Sequence, residues 1–167
     1  GFRLEDILAQ ADGLAIAGSA ELSPQGRLIG ASITQLQIDE LVDLAGTLAG
    51  PEQEGGAFTA NLAGRYLDIR ELMPHLRNLG AAEEMMPLSA TLDIGRLTLS
   101  DRNQLDDFNL IWRSEAAGIR AFSLAGTASD GPFHASFGAG QDGAVRELRL
   151  EAQSAGRLAA ILGVEGY

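Results

Sequence analysis

The sequence predicts a mainly β fold: a curved antiparallel sheet, β-groove or open-barrel-like, with two or three short helices packed on it. Apolar and polar residues alternate with a period of two over long stretches, the pattern of strands with one face turned from water. Short tetrads rich in Gly, Asp and Ser separate these stretches and supply turn chemistry. An apolar-Ala-Gly-polar tetrad also recurs inside the strands, as Ile16-Ala17-Gly18-Ser19, Leu44-Ala45-Gly46-Thr47, Leu62-Ala63-Gly64-Arg65 and Leu124-Ala125-Gly126-Thr127. Glycine within a strand marks a bend, a bulge or a close backbone approach, so the repeated tetrad points to curvature.

At the N-terminus, Leu4, Ile7 and Leu8 have helical spacing and predict a first short helix. Strands follow at Leu14–Leu22 and Arg27–Ile38, joined by the Ser23-Pro24-Gln25-Gly26 turn, and the pattern is weak between Asp39 and Gly50. A Gly-rich acidic loop at Pro51–Gly56 leads into a strand at Ala57–Ala63. Asp68 and Glu71 form a capping box, and Ile69, Leu72, Met73, Leu76 and Leu79 fall on one face of a second helix that Pro74 should kink.

From Pro87 the alternation is clearest: Leu88, Ala90, Leu92 and Ile94, then a parity switch after Gly95-Arg96 to Leu97 and Leu99, as a β-bulge requires. Further strands carry Phe108, Leu110 and Trp112, then Phe122 and Leu124, then Phe133, Ala135 and Phe137, then Leu148, Leu150 and Ala152. Turns at Ala116-Ala117-Gly118, Ser129-Asp130-Gly131 and Gln141-Asp142-Gly143 make the connections short and imply a meander. Ser154 is the N-cap of a third helix through Leu158, Ile161 and Leu162, stopped by Gly163.

The 167 residues suit a single domain able to bury a core without disulfides or metals, and Cys is absent. With 12 Lys+Arg against 23 Asp+Glu the formal charge is -11, which repels a phosphate backbone and excludes nucleic acid as a partner. The same sign disfavours docking on anionic headgroups but leaves uncharged acyl chains open. No apolar run approaches the ~20 residues that span a bilayer as a helix, so a membrane anchor is expected only outside this chain.

No reaction centre emerges. His75 and His134 lack an Asp, Ser or second His at catalytic or ligand spacing, and His134 has the parity of the solvent-facing side of its strand. The run Asp101–Asp107 lacks the ligand pattern of a calcium loop, since Leu105 interrupts it and no Gly follows, so a polar hairpin is expected there. The adjacent pairs Asp106-Asp107 and Glu83-Glu84 point to opposite faces of a strand and cannot share a proton. Phosphate-cradling glycine motifs and a nucleophile elbow are absent from the sequence, so neither catalytic residues nor a cofactor or metal are expected.

The functional candidate is the apolar strand face itself: Phe58, Leu92, Ile94, Phe108, Leu110, Trp112, Phe122, Leu124, Phe133 and Phe137. These residues form either the closed core of a β-sandwich, a structural or protein-interaction module, or the floor of an open groove. Periodicity alone does not separate the two.

The order Phe2-Arg3-Leu4-Glu5-Asp6-Ile7, Asp12-Gly13-Leu14-Ala15-Ile16-Ala17-Gly18-Ser19-Ala20 and Gln25-Gly26-Arg27-Leu28-Ile29-Gly30-Ala31 resembles the AsmA-like proteins of Gram-negative bacteria, including their YhdP-type members. Leu62–Arg70 and Glu151–Gly163 are similar to that family as well. The resemblance lies in the rhythm of strands and short helices over nearly the whole chain, and it carries no catalytic residue. It implies one β-rich segment, residues 1–167, of a longer periplasmic protein anchored to the inner membrane elsewhere, with weak internal repeats at roughly 1–80 and 81–167. It further implies a bridge-like lipid transfer role, with phospholipid acyl chains and adjoining segments of the same chain as partners. A hydrolase of envelope polysaccharide is the third reading; it needs two carboxylates ~5 to 10 Å apart in a cleft.

Overall fold

A computed structural model describes residues 1–53, 55–70, 85–101, 103–139 and 146–153. Their strands are β1 (Phe2–Ala11), β2 (Leu14–Leu22), β3 (Leu28–Ile38), β4 (Val42–Ala49), β5 (Phe58–Asp68), β6 (Leu88–Ser100), β7 (Asn103–Glu115), β8 (Gly118–Ala128), β9 (Gly131–Ala139) and β10 (Arg146–Ala152). All ten lie in one sheet in sequence order, with β1 and β10 at its edges, so the sheet is open. The mainly β reading holds in this form.

Two expectations are corrected. The sheet is mixed, because β5 and β6 pair in parallel from Phe58 opposite Leu88 to Asp68 opposite Thr98. Parallel neighbours need a connection of a dozen or more residues, and residues 69–87 provide it, whereas the other neighbours pair antiparallel. The sheet is therefore two successive meanders, β1–β5 and β6–β10, joined side by side at one parallel seam.

The second correction is the N-terminal helix, since Leu4, Ile7 and Leu8 belong to β1. Asp6 adopts a φ of 53° and the β1–β2 register shifts between Leu4 and Ile7. That bulge returns Ile7 to the face of Leu4, so a bulged strand reproduces the three-residue apolar spacing of a helix. The helices expected over residues 68–79 and 154–163 fall largely on residues 71–84 and 154–167, outside the described residues, as does the Gln141-Asp142-Gly143 turn. No helix is present among the described residues.

Local chemistry explains the connections. At the β2–β3 turn the Gly26 amide donates to the Ser23 carbonyl at 2.9 Å, and Ser23 Oγ accepts from the Arg27 amide at 3.1 Å. Asp39–Gly50, where the pattern was weak, contains β4. Arg70, just past β5, donates Nε to both oxygens of Asp68 (3.0 and 2.9 Å) and Nη1 to Asp101 in the β6–β7 turn at 2.6 Å. The Arg70 hydrogen bonds hold the Asp68 carboxyl below the usual carboxylate range.

Three of the four tetrad glycines, Gly18, Gly46 and Gly64, sit where a Cβ would overlap a neighbouring carbonyl oxygen, whereas one on Gly126 would come no nearer than 3.3 Å to Leu105 Cβ. A Cβ on Gly18 would overlap the Ser32 carbonyl oxygen, and one on Gly64 would overlap the Asp43 carbonyl oxygen and lie 2.6 Å from Leu44 Cδ2. Register shifts sit beside these points, between Ala17 and Gly18 in β2–β3 and between Asp43 and Leu44 in β4–β5. In β6 the expected parity switch takes an unexpected form. Ile94 and Leu97 share a face, yet the β6–β7 register runs unbroken from Ile94–Phe108 to Leu97–Leu105. The partner strand makes the same jump at Asp107, whose φ is 51°.

The buried cluster is centred there. Ile94 has no exposed surface and Leu105 is 2% exposed; Leu44, Leu97, Phe108 and Ala128 complete the cluster. Leu105, read from sequence as part of a polar hairpin, is core.

Candidate functional site

Cross-strand pairing assigns the apolar face strand by strand. In the second meander Ala90, Leu92 and Ile94 stand opposite Trp112, Leu110 and Phe108. Leu110 and Trp112 stand opposite Leu124 and Phe122, which in turn face Ala135 and Phe137. Phe137 and Ala135 stand opposite Leu148 and Leu150 on the edge strand. The face continues across the parallel seam, where Leu62 is beside Leu92 and Leu67 beside Leu97. It proceeds through Leu44 and Leu48 of β4 and Ile33 and Leu36 of β3 to Ile16 and Ala20 of β2, then Leu4 and Ile7 of β1. Directly paired side chains on one face lie about 5 Å apart, so these residues form one contiguous surface.

The opposite face of the second meander is mostly polar or small, with Thr91, Asp93 and Asn109 beside Ala125 and Ser123, Ser136, His134 and Glu151 further along, and it also exposes Ile111 between Thr91 and Ser123. His134 is half-buried there, with Nε2 at 3.3 Å from Ser123 Oγ and Glu151 as its cross-strand neighbour. Ser123, His134 and Glu151 thus stand in a row across β8, β9 and β10 on the face opposite the apolar one. His75 lies outside the described residues.

A cavity of about 690 Å³ opens on the apolar face of the second meander. Leu97, Leu99, Leu105 and Phe108 form one wall, Phe122 and Leu124 the middle, and Phe133, Ala135 and Phe137 with Leu148 and Leu150 the other wall. Ile69, Met85 and Ile119 complete its lining. Every lining side chain is apolar, and the volume is in the range of small-molecule sites. Trp112 stacks on Phe122 with ring centroids 6.1 Å apart, and Phe122 on Phe137 at 5.8 Å, making an aromatic row across three strands.

Of the ten residues singled out in the sequence, Phe108, Phe122, Leu124, Phe133 and Phe137 line this cavity. Ile94 lies beneath it, fully buried, and Leu92 and Leu110 pack against the same cluster. Trp112 flanks the cavity through its stack on Phe122, while Phe58 lies in β5, opposite Leu88, and does not line it. The residues that sequence reasoning left out are Leu97, Leu99, Leu105, Ala135, Leu148 and Leu150, together with Ile69, Met85 and Ile119. Parity already marked Leu97, Leu99, Ala135, Leu148 and Leu150 as strand residues of the apolar set. Leu105 carries no such signal, because the irregularity at Asp107 breaks its alternation with Phe108.

All described strands belong to one sheet, so no second sheet packs on this face among the described residues. No described helix is long and apolar enough to cross a membrane. No protein-family model, curated protein or solved structure matches the chain.

Proposed function

We propose that this chain is a non-catalytic segment of an AsmA-like periplasmic protein, anchored to the inner membrane outside these residues. Its apolar face forms part of a groove that carries phospholipid between inner and outer membrane or serves envelope homeostasis. The observation that carries this reading is the contiguous apolar face of a single open sheet, with a wholly apolar cavity set into it. The bulges and glycine contacts that run across the strands favour a sheet that curls toward that face.

Such a surface does the work without chemistry. Each acyl methylene moved from water onto it contributes about 0.8 kcal/mol, so ten methylenes give roughly 8 kcal/mol before the cost of ordering the chain. Headgroups stay in water, and the formal charge of -11 keeps the outer face hydrated. A sandwich core would need a second layer over the same face, and that the described strands all belong to one sheet supports the groove reading.

The test is native mass spectrometry with lipid extraction on protein purified without detergent, beside a Trp112→Asp, Phe122→Asp variant. Phospholipid that copurifies with the parent and is lost from a variant with unchanged circular dichroism is the expected result. A lipid-free parent whose variant collapses would assign the face to a structural core and defeat the groove.

A further inference from the structure

Resting on the groove reading, we propose that Arg146 makes the site selective for phospholipids whose headgroup carries a net negative charge. Arg146 stands at the head of the apolar row of β10, since it pairs with Ala139 as Leu148 pairs with Phe137 and Leu150 with Ala135. Its guanidinium carbon lies 5.9 Å from the centroid of the Phe137 ring, and Nη1 donates to the Ile119 carbonyl at 3.1 Å. Phe137 and Ile119 both line the cavity, so a cation is fixed at the end of an otherwise apolar site.

Its setting differs from that of the neighbouring arginines. Arg96, Arg120 and Arg149 each pair with a carboxylate, whereas among the described residues none pairs with Arg146, nor with Arg113, which stands on the opposite face away from the cavity. A guanidinium has five N–H donors, and the Ile119 carbonyl takes one. The remainder form a fork suited to phosphate oxygens. In a chain of formal charge -11, an anionic head is repelled from most of the surface and accepted where this fork meets the apolar row. The cavity crosses the five strands β6 to β10, four interstrand spacings of about 4.8 Å, or ~19 Å, which accommodates acyl chains side by side and points to a two-chain phospholipid over a single-chain acid.

The experiment titrates the protein with dihexanoyl-phosphatidylglycerol and with dihexanoyl-phosphatidylcholine, each below its micelle concentration, following the fluorescence of Trp112, the single tryptophan. The parent should bind the anionic lipid about fivefold more tightly, in line with a partly exposed charge-assisted contact. Arg146→Gln should abolish that preference by weakening phosphatidylglycerol more than phosphatidylcholine, whose phosphate also meets the fork but whose choline offsets its charge, and Arg146→Lys should keep part of it. Equal affinities in the parent, or a preference that survives Arg146→Gln, would overturn the role of Arg146 and leave the groove standing. Binding of neither lipid would overturn the groove and this proposal with it. Laurate bound as tightly as phosphatidylglycerol would make the ligand a free fatty acid and overturn the phospholipid assignment.

Discussion

Gly64 occupies a point where the backbones of β4 and β5 approach too closely for any side chain: the Asp43 carbonyl oxygen and Leu44 Cδ2 fill the space of a Cβ. Both obstacles belong to the sheet, and Leu44 is itself part of the buried cluster, so neither moves freely. Gly64→Ala should therefore destabilise the protein by about 1–3 kcal/mol, as overpacking does. Gly138→Ala is the control, because its Cβ would meet only Ala121 Cβ at 3.6 Å, an ordinary contact. Urea denaturation of the two variants compares them, and equal midpoints would sink the close-approach account of the tetrad. At this scale the sequence was informative where chemistry is local. The tetrad marked Gly18 and Gly64 without their neighbours, whereas Leu105 shares the face of Phe108 only because of the irregularity at Asp107, where φ is positive and the β7–β8 register shifts.

Strand β1 is an edge with every residue exposed, including Phe2 at 64% and Leu8 at 67%. One neighbour supplies all its hydrogen bonds, and a bulge interrupts them. Strands β6 and β7 are paired on both sides and contribute Ile94, Leu97, Leu105 and Phe108 to the core. Local opening follows burial and pairing. Amide hydrogen exchange read by mass spectrometry should thus find β1 exchanging first and β6–β7 last; protection of β1 equal to that of β7 would contradict the edge assignment. Most strands could be read from alternation, but β1 could not, because its bulge imitates helical spacing. The parallel seam escaped as well, since the direction in which β6 returns beside β5 depends on the path of residues 69–87 and leaves no mark on the alternation of either strand.

For the molecule as a whole, the two meanders share a core. Leu44 of β4 clusters with Ile94, Leu105 and Phe108, and Leu36 of β3 packs against the same group, so the parallel seam is also a packing interface. A shared core binds the meanders into one cooperative unit. Urea unfolding followed by Trp112 fluorescence, which reports the second meander, should coincide with unfolding followed by far-ultraviolet circular dichroism, which reports both. Two separated transitions would show independent meanders. The candidate site divides along the same line. Its residue types and most of its strands were readable, because turning one face from water requires period two. Which strands lie side by side, that no second sheet covers them among the described residues, and that Arg146 meets Phe137 at the cavity's end all follow from contacts between residues distant in the chain. Alternation and turn propensity act within a few residues and are written into the sequence. Strand order, register and the depth of a cavity are set by long-range pairing, and only the folded sheet brings those partners together.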